Sequence, residues 1–204
     1  MRQTIGIPMG SDPAPFFANL FLYHYESKWL TELMKTDLQK ARRFGNTFRF
    51  IDDLGAINDQ GEFEIHFKEI YPPEMELKKE NNGSLEASFL DLSISISSGV
   101  FNSKLYDKRD NFPFSIVRMP YRCSNMPSTI YYSSIGAEIL RICKASTNKN
   151  DCINSAKHLI TRMICQGAEN VRLRNTLRKF YGRHMEIFQK VSENSIDFVN
   201  LLIT

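Results

Sequence analysis

Two adjacent aspartates, Asp52 and Asp53, lie at the centre of the largely apolar stretch FRFIDDLGAI. Two neighbouring carboxylates do not both stay ionised at close range without a counter-charge. Mg²⁺ can supply that charge, and it prefers a few carboxylates together with substrate phosphates over a full protein cage. Such a metal can activate an attacking oxygen and stabilise a leaving oxygen in phosphoryl transfer. Two interpretations of the pair are therefore open, a Mg²⁺ (or Mn²⁺) site and a structural turn, in which aspartate is a favoured residue, and for the pair taken alone the structural turn is the commoner case.

The flanking sequence predicts a strand, a tight turn and a second strand over residues 48–57, which would project the carboxylates from the turn. Upstream, GIPMGSDPAP is a glycine-containing bend that opens a long helix over about residues 11–35. Ser11 or Asp12 is the expected cap of that helix, and its prolines fall in the first turn. Five residues are expected to form its apolar face: Phe17, Leu20, Phe21, Tyr25 and Leu33.

Further secondary structure follows downstream of the aspartates. EFEIHFKEIY predicts a short amphipathic helix that ends at Pro72 and Pro73, and MELKKE predicts a strand. FLDLSISISSGVFNSKLYDK predicts a hairpin with its turn at Ser98-Gly99, because four apolar residues alternate with polar ones. Those four residues are Leu90, Leu92, Ile94 and Ile96.

From about Pro127 the sequence predicts helices only. Three segments carry helical spacing: PSTIYYSSIGAEILRICKAS, NDCINSAKHLITRMICQG and AENVRLRNTLRKFYGRHMEIFQKV. Gly167 is the expected stop of the second. The third is basic, and it is interpreted either as a solvated surface or as a phosphate-binding surface. Its basic residues are Arg172, Arg174, Arg178, Lys179 and Arg183.

Composition indicates a globular protein rather than a disordered chain or a polycation, and the predicted strands and helices make its fold class α+β. The 204 residues are 42% hydrophobic and 24% charged, with a net charge of +3. The four cysteines, which lack C-x-x-C spacing, are interpreted as reduced and mostly buried thiols of an intracellular protein, nuclear or cytoplasmic, without a zinc site. No signal peptide and no membrane-spanning stretch is expected. The cysteines are Cys123, Cys143, Cys152 and Cys165.

Four segments, in this order, resemble motifs B, C, D and E of reverse transcriptases, most closely those of Penelope-like retroelements. They are QTIGIPMGSDPAPFFANLFL, RFIDDL, MELKKEN and SFLDLSISI. The stretch RMPYRCSNMPSTIYYSSIGAEILRICKAS is also similar to the region that follows the palm in that family. The resemblance implies a partial right-hand polymerase palm of antiparallel hairpins and packed helices over residues 1–122. It implies an all-helical thumb-like region over residues 123–204.

The resemblance also implies roles for individual residues. Asp52 would be the metal-ligating aspartate of motif C, with Asp53 as its partner. Residues of the motif B bend would contact the incoming nucleotide and the template base, namely Pro8, Met9, Gly10 and Ser11. The motif D lysines Lys78 and Lys79 would approach the triphosphate, although each is equally well explained as a solvated lysine. Motif E, at Phe89, Leu90 and Asp91, would belong to the primer grip, although packing explains that segment too.

The implied partners are an RNA template, an RNA–DNA or DNA duplex and deoxynucleoside triphosphates, with the basic helical segment contacting duplex phosphates. The family's site also needs a third carboxylate, from motif A upstream of motif B. The sequence begins two residues before Gln3. We therefore expect this chain to be inactive alone. Two alternatives are a non-catalytic nucleic-acid-binding module and a fragment that joins a chain supplying the fingers and motif A.

Overall fold

The computed structural model describes residues 10–80, 85–114 and 116–203, with the side chain of Asp110 left aside. The chain is α+β, as expected, and it forms two compact units, Met1–Asn82 and Gly83–Thr204. The second unit combines a three-stranded sheet with the C-terminal helices, so the compact units do not follow the predicted division at residue 122. The division into palm and thumb stays a prediction. None of the described helices combines the length and apolarity needed to span a bilayer.

The first unit combines a two-stranded antiparallel sheet with three α-helices among its described residues. A short 3₁₀ turn, Phe44–Asn46, leads into the sheet. The other elements are α1 (Ala14–Thr36), α2 (Leu38–Arg43), β1 (Thr47–Phe50), β2 (Asp53–Ala56) and α3 (Glu62–Ile70). The predicted hairpin and both predicted helices of this unit are confirmed, whereas α2 had no counterpart in the sequence analysis.

The predicted start of α1 was wrong. Its N-cap is Pro13, which has no capping side chain, and the Ala14 amide donates to the Ser11 carbonyl instead.

The predicted apolar face of α1 was wrong in part. Tyr25 and Leu33 pack against the core, but Phe17, Leu20 and Phe21 are exposed. The face that packs runs instead through Leu22, Trp29 and Leu30.

The core of the first unit is aromatic. Phe44, Phe63, Phe67 and Tyr71 are buried together beneath Leu22. The Trp29 ring packs edge-on against Phe44, with ring centroids 4.9 Å apart. This cluster ties α1 to α3, which ends at Ile70, just before the two prolines. The segment MELKKE after them forms no strand. That prediction was wrong, since a strand also needs a partner and none of the described strands pairs with this segment.

The second unit contains a three-stranded antiparallel sheet in the order β3-β4-β5 and five helices among its described residues. The predicted turn at Ser98-Gly99 is confirmed, with φ of 51° and 76°. A further turn at Leu90-Asp91 contradicts the prediction that Leu90 lies within a strand. The elements are β3 (Glu86–Phe89), β4 (Leu92–Ser97), β5 (Val100–Leu105), α4 (Ser128–Ala145), α5 (Lys149–Cys165), α6 (Asn170–Arg183), α7 (Met185–Phe188) and α8 (Ser195–Leu202).

The C-terminal helices share one apolar core. Residues of α4, α5, α6 and α8 are buried together, including Ile135, Leu173 and Val199 at 0% exposure. Gly167 ends α5 with a φ of 92°, as expected. The third predicted helix is interrupted at His184, where α6 ends and α7 begins.

All four cysteines are free, as predicted, but the prediction that they are mostly buried was right for one pair only. Cys143 on α4 and Cys152 on α5 are buried, and their Sγ atoms lie 2.7 Å apart. Cys123 and Cys165 are exposed.

Gly136 on α4 makes the close approach of α6 possible. A Cβ atom at this position would lie 2.5 Å from the Phe180 ring. We predict that Gly136→Ala lowers the free energy of unfolding by about 1–3 kcal/mol through overpacking. Gly182→Ala on α6, where a Cβ meets no atom within 4 Å, should raise it by up to about 1 kcal/mol through helix propensity. Urea unfolding of both variants checks the opposite signs, and stabilisation by Gly136→Ala would contradict the prediction.

Candidate functional site

The two aspartates lie at the tip of the β1–β2 hairpin. Phe50 pairs with Asp53, so Ile51 and Asp52 form a two-residue loop. Both carboxylates are exposed. Within the described part of the chain, neither has a hydrogen-bond or ion-pair partner. The hairpin therefore presents two adjacent, uncompensated carboxylates to solvent.

The backbone at this tip is strained. Ile51 has a φ of 55°, a value that glycine adopts readily and a β-branched residue rarely does. A two-residue hairpin favours positive φ in its loop because that geometry matches the twist of the strands. The cost for a non-glycine residue is of order 1–3 kcal/mol, and such residues persist where the surroundings over-determine them.

The surroundings of Ile51 are a polar network between the hairpin and α1. The Ile51 amide donates to Asn19 Oδ1 at 3.2 Å, and Arg49 Nη1 donates to the same oxygen at 2.7 Å. Arg49 Nη1 also reaches the Ile51 carbonyl at 3.4 Å. Both polar groups of the Ile51 backbone are therefore held by side chains.

Arg49 is itself fixed by a forked ion pair. Its Nε donates to Glu26 Oε1 at 2.6 Å and its Nη2 to Glu26 Oε2 at 3.1 Å. The Tyr71 hydroxyl, at the end of α3, donates to Glu26 as well. Burial, reinforced by the hydrogen bond to Glu26, raises the pKa of the Tyr71 phenol well above its ordinary value. Tyr71 therefore stays protonated and remains a donor at physiological pH.

This network gives β1 an unusual orientation, with its charged side chain facing inward and its aromatic side chains facing outward. Arg49 has a side-chain exposure of 13% and faces α1, whereas Phe48 and Phe50 are each 54% exposed. A hairpin selected only for burial would place the phenylalanines inward, since burying one contributes about 1.5–3 kcal/mol. The sequence analysis did not single out Asn19, Glu26, Arg49 or Tyr71. The one available signal was a cation within an alternating apolar strand.

The aspartates suit a hard cation by ligand type but do not make a complete site. Carboxylate oxygens are ligands that Mg²⁺ prefers. Across residues 10–80, 85–114 and 116–203, no group of three or more His, Cys, Asp or Glu side chains could hold a metal ion. A Mg²⁺ ion at Asp52 and Asp53 would therefore take further ligands from water, substrate phosphates or a carboxylate outside this set.

The other predicted nucleotide-binding residues are only partly described. Pro8 and Met9 lie outside the described residues. Gly10 is exposed, with a φ of 89°, and Ser11 follows it before α1. Helix α1, which follows this bend, carries Asn19, and Asn19 contacts the aspartate hairpin. The bend and the hairpin are therefore connected through α1. Lys78 and Lys79 are both exposed, and Lys79 Nζ pairs with Glu64 at 3.0 Å. No described contact joins either lysine to Asp52 or Asp53.

The basic residues of α6 divide into two groups. Arg174 donates to Asn200 at 2.9 Å and to the Ile203 carbonyl at 2.8 Å, so it stabilises the end of α8. Arg172 pairs with Glu169 at 3.1 Å and donates to Ser128 at 2.8 Å. The remaining three are exposed and have no ion-pair or hydrogen-bond partner among the described residues. They are Arg178, Lys179 and Arg183.

The predicted motif E residues lie in the second unit, at the turn between β3 and β4. Asp91 pairs with Arg141 of α4 at 3.0 Å, and Leu90 has a φ of 55°. The Asp91 carbonyl accepts the Tyr106 amide at 2.8 Å. This arrangement explains Asp91 as a link between the sheet and α4.

Comparison with known proteins identifies no relative. Searches of protein-family models, curated proteins and solved structures gave no match to this chain.

The strain at Ile51 makes a prediction that inverts the usual ranking of alanine and glycine. In an ordinary strand, glycine is less stable than alanine by about 0.5–1 kcal/mol. At Ile51 we expect Ile51→Gly to be more stable than Ile51→Ala by about 1 kcal/mol, because only glycine relieves the positive φ. Urea unfolding measures the difference. The same pair of substitutions at Phe48, on β1, supplies the control and should keep the ordinary order.

Proposed function

We propose that this chain is the palm and thumb part of an RNA-directed DNA polymerase, with Asp52 and Asp53 as ligands of catalytic Mg²⁺. The observation that carries the proposal is the Asp-Asp loop. Two uncompensated carboxylates project from a strained hairpin that side chains of α1 hold in place. A structural turn requires neither two exposed carboxylates nor a partly buried arginine behind them. The resemblance of this loop and its neighbours to motifs B to E supplies the reaction class.

A bound Mg²⁺ would supply Lewis-acid stabilisation of the attacking and leaving oxygens in nucleotidyl transfer. The protein's own contribution at this site is placement. Asp52 stands in the two-residue loop and Asp53 begins β2, so their separation is limited by one peptide unit. Because a pair of metals needs more ligands than two carboxylates provide, the proposal requires a third carboxylate at the assembled site.

Helix α6 supports the nucleic-acid part of the proposal. It carries five basic residues and no acidic residue within Asn170–Arg183. Three of the five are exposed and unpaired within the described part of the chain. Unpaired Arg and Lys on a rigid helix are suited to phosphate contacts, which are independent of sequence and sensitive to salt. The same observation favours the second candidate, a nucleic-acid-binding module without catalysis.

Primer extension on an RNA template separates the two candidates. The chain is assayed with Mg²⁺ after being joined to an upstream segment that carries the third carboxylate. We expect extension by the joined polypeptide, and loss of at least about 100-fold of that activity in Asp52→Asn, because the metal loses a charged ligand. Glu32→Gln, which removes a carboxylate from an exposed position on α1, is the control and should retain activity. Duplex binding without extension in any form would favour the binding module.

Salt dependence of duplex binding tests α6. Replacing Arg178, Lys179 and Arg183 by alanine should weaken binding to an RNA–DNA duplex and reduce the slope of log K against log salt by about 2–3. Arg174→Ala is the control on the same helix. It should lower the free energy of unfolding by about 1–3 kcal/mol, through lost hydrogen bonds, and leave the slope unchanged. Fluorescence anisotropy over a salt series measures both, and an unchanged slope in the triple variant would exclude α6 from the interface.

A further inference from the structure

We propose that Asn19, Glu26 and Arg49 are positioning residues for Asp52. The inference rests on the proposed function, since it concerns the same metal site. It adds three residues that contact neither metal nor substrate. Their role is to hold the Ile51 peptide, from which the Asp52 carboxylate projects.

Asn19 is the first element of this arrangement. Its Oδ1 atom accepts two hydrogen bonds, from the Ile51 amide at 3.2 Å and from Arg49 Nη1 at 2.7 Å. The side chain thereby bridges the strand and the loop. A residue without this oxygen would free the Ile51 amide, whose positive φ is otherwise unfavourable.

Arg49 holds the other side of the same residue. Its Nη1 lies 3.4 Å from the Ile51 carbonyl, which belongs to the peptide bond joining Ile51 to Asp52. The Arg49 Nη2 atom also donates to the Asn19 carbonyl at 3.3 Å. The guanidinium is planar and offers five donors in a fixed geometry. Lysine in its place could not satisfy these acceptors together.

Glu26 holds the Arg49 guanidinium in position beside the loop. It lies seven residues after Asn19 on α1, which is close to two helical turns and therefore on the same face. Both of its oxygens accept from Arg49, at 2.6 Å and 3.1 Å. Tyr71 donates to Glu26 from the end of α3. The loop is thus connected through three side chains to the aromatic core of the first unit.

The inward position of Arg49 leaves apolar side chains of the hairpin exposed. With Arg49 inward, Phe48 and Phe50 face outward at 54% exposure. A shift of one residue in register would bury the phenylalanines and expose Arg49, since neighbouring residues of a strand face opposite sides. The observed register instead places a bonded arginine directly behind the aspartate loop. Positioning of the loop accounts for this choice, whereas core formation does not.

The test is Mn²⁺ binding to the chain joined to the upstream segment that carries the third carboxylate, titrated by the EPR signal of free Mn²⁺. Asp52→Asn defines the part of the binding that belongs to the aspartate loop. We expect Asn19→Ala to weaken that part about tenfold, as outer-shell partners of metal ligands do. Ser27→Ala is the matched control on α1, because the Ser27 hydroxyl donates to the His24 carbonyl of the same helix. It should leave Mn²⁺ affinity unchanged.

Two further variants separate positioning from charge and from folding. Glu26→Gln should weaken Mn²⁺ binding more than Glu32→Gln, which removes the same charge from an exposed position on the same helix. Amide hydrogen exchange reports the loop itself. The Ile51 amide should lose about fivefold to tenfold of its protection in Asn19→Ala, corresponding to one lost hydrogen bond. Amides of α3 should keep theirs, and a variant that unfolded would instead lose protection throughout.

The outcomes are distinguishable. If wild type and Asp52→Asn bind Mn²⁺ equally, the metal site of the proposed function is wrong, and the positioning inference falls with it. If Asp52→Asn abolishes binding but Asn19→Ala and Glu26→Gln match their controls, the metal site stands and the positioning inference is overturned.

Discussion

The ion pair between Arg49 and Glu26 is the interaction on which the first unit's candidate site depends. A partly buried guanidinium is tolerated only if its donors are satisfied. Here Glu26 takes two of them, and Asn19 and the Ile51 carbonyl take others. Because Arg49 is fixed inward, the pleat forces its strand neighbours outward. The direction of the hairpin, the exposure of its phenylalanines and the placement of Asp52 all follow from that constraint.

Each of the two units contains a two-residue turn of the same kind between antiparallel strands. In each, an aromatic residue ends a strand, an aliphatic residue follows with a φ of 55°, and an aspartate completes the loop. What differs is the fate of the aspartate. Asp91 pairs with Arg141, at 3.0 Å, whereas Asp52 has no such partner among the described residues. The contrast between a compensated and an uncompensated turn is the strongest reason to regard the first as functional.

Part of this architecture was predictable because the local spacing of apolar residues indicates it. The helices α1, α3, α4 and α5, and the hairpin that carries Asp52, follow from apolar spacing and from stop signals such as Gly167. The turn at Leu90-Asp91 was hidden, because apolar residues continue to alternate across it and leucine is an unusual residue at positive φ. MELKKE has strand composition, but pairing is a tertiary property. Helical spacing likewise continues across His184, so the break there left no trace in the pattern.

The candidate site was predictable in its ligands and not in its support. Asp52 and Asp53 are conspicuous as neighbouring charges in an apolar segment. The supporting residues are of common types, and their contacts form only when α1 packs against β1 in the folded unit. They are Asn19, Glu26 and Arg49. The same holds for Arg174, which resembles its basic neighbours in sequence but acts within the fold.

The forked pair between Arg49 and Glu26 also limits how this protein can change over evolutionary time. Removing one partner of a fully buried pair costs about 3–5 kcal/mol, and this pair, with side chains 13% and 26% exposed, is partly buried. A lineage that loses Arg49 or Glu26 alone therefore loses part of a stability that totals about 5–15 kcal/mol in a typical domain. Because Arg49 also donates to Asn19 and Glu26 also accepts from Tyr71, substitutions at these four positions are coupled to one another.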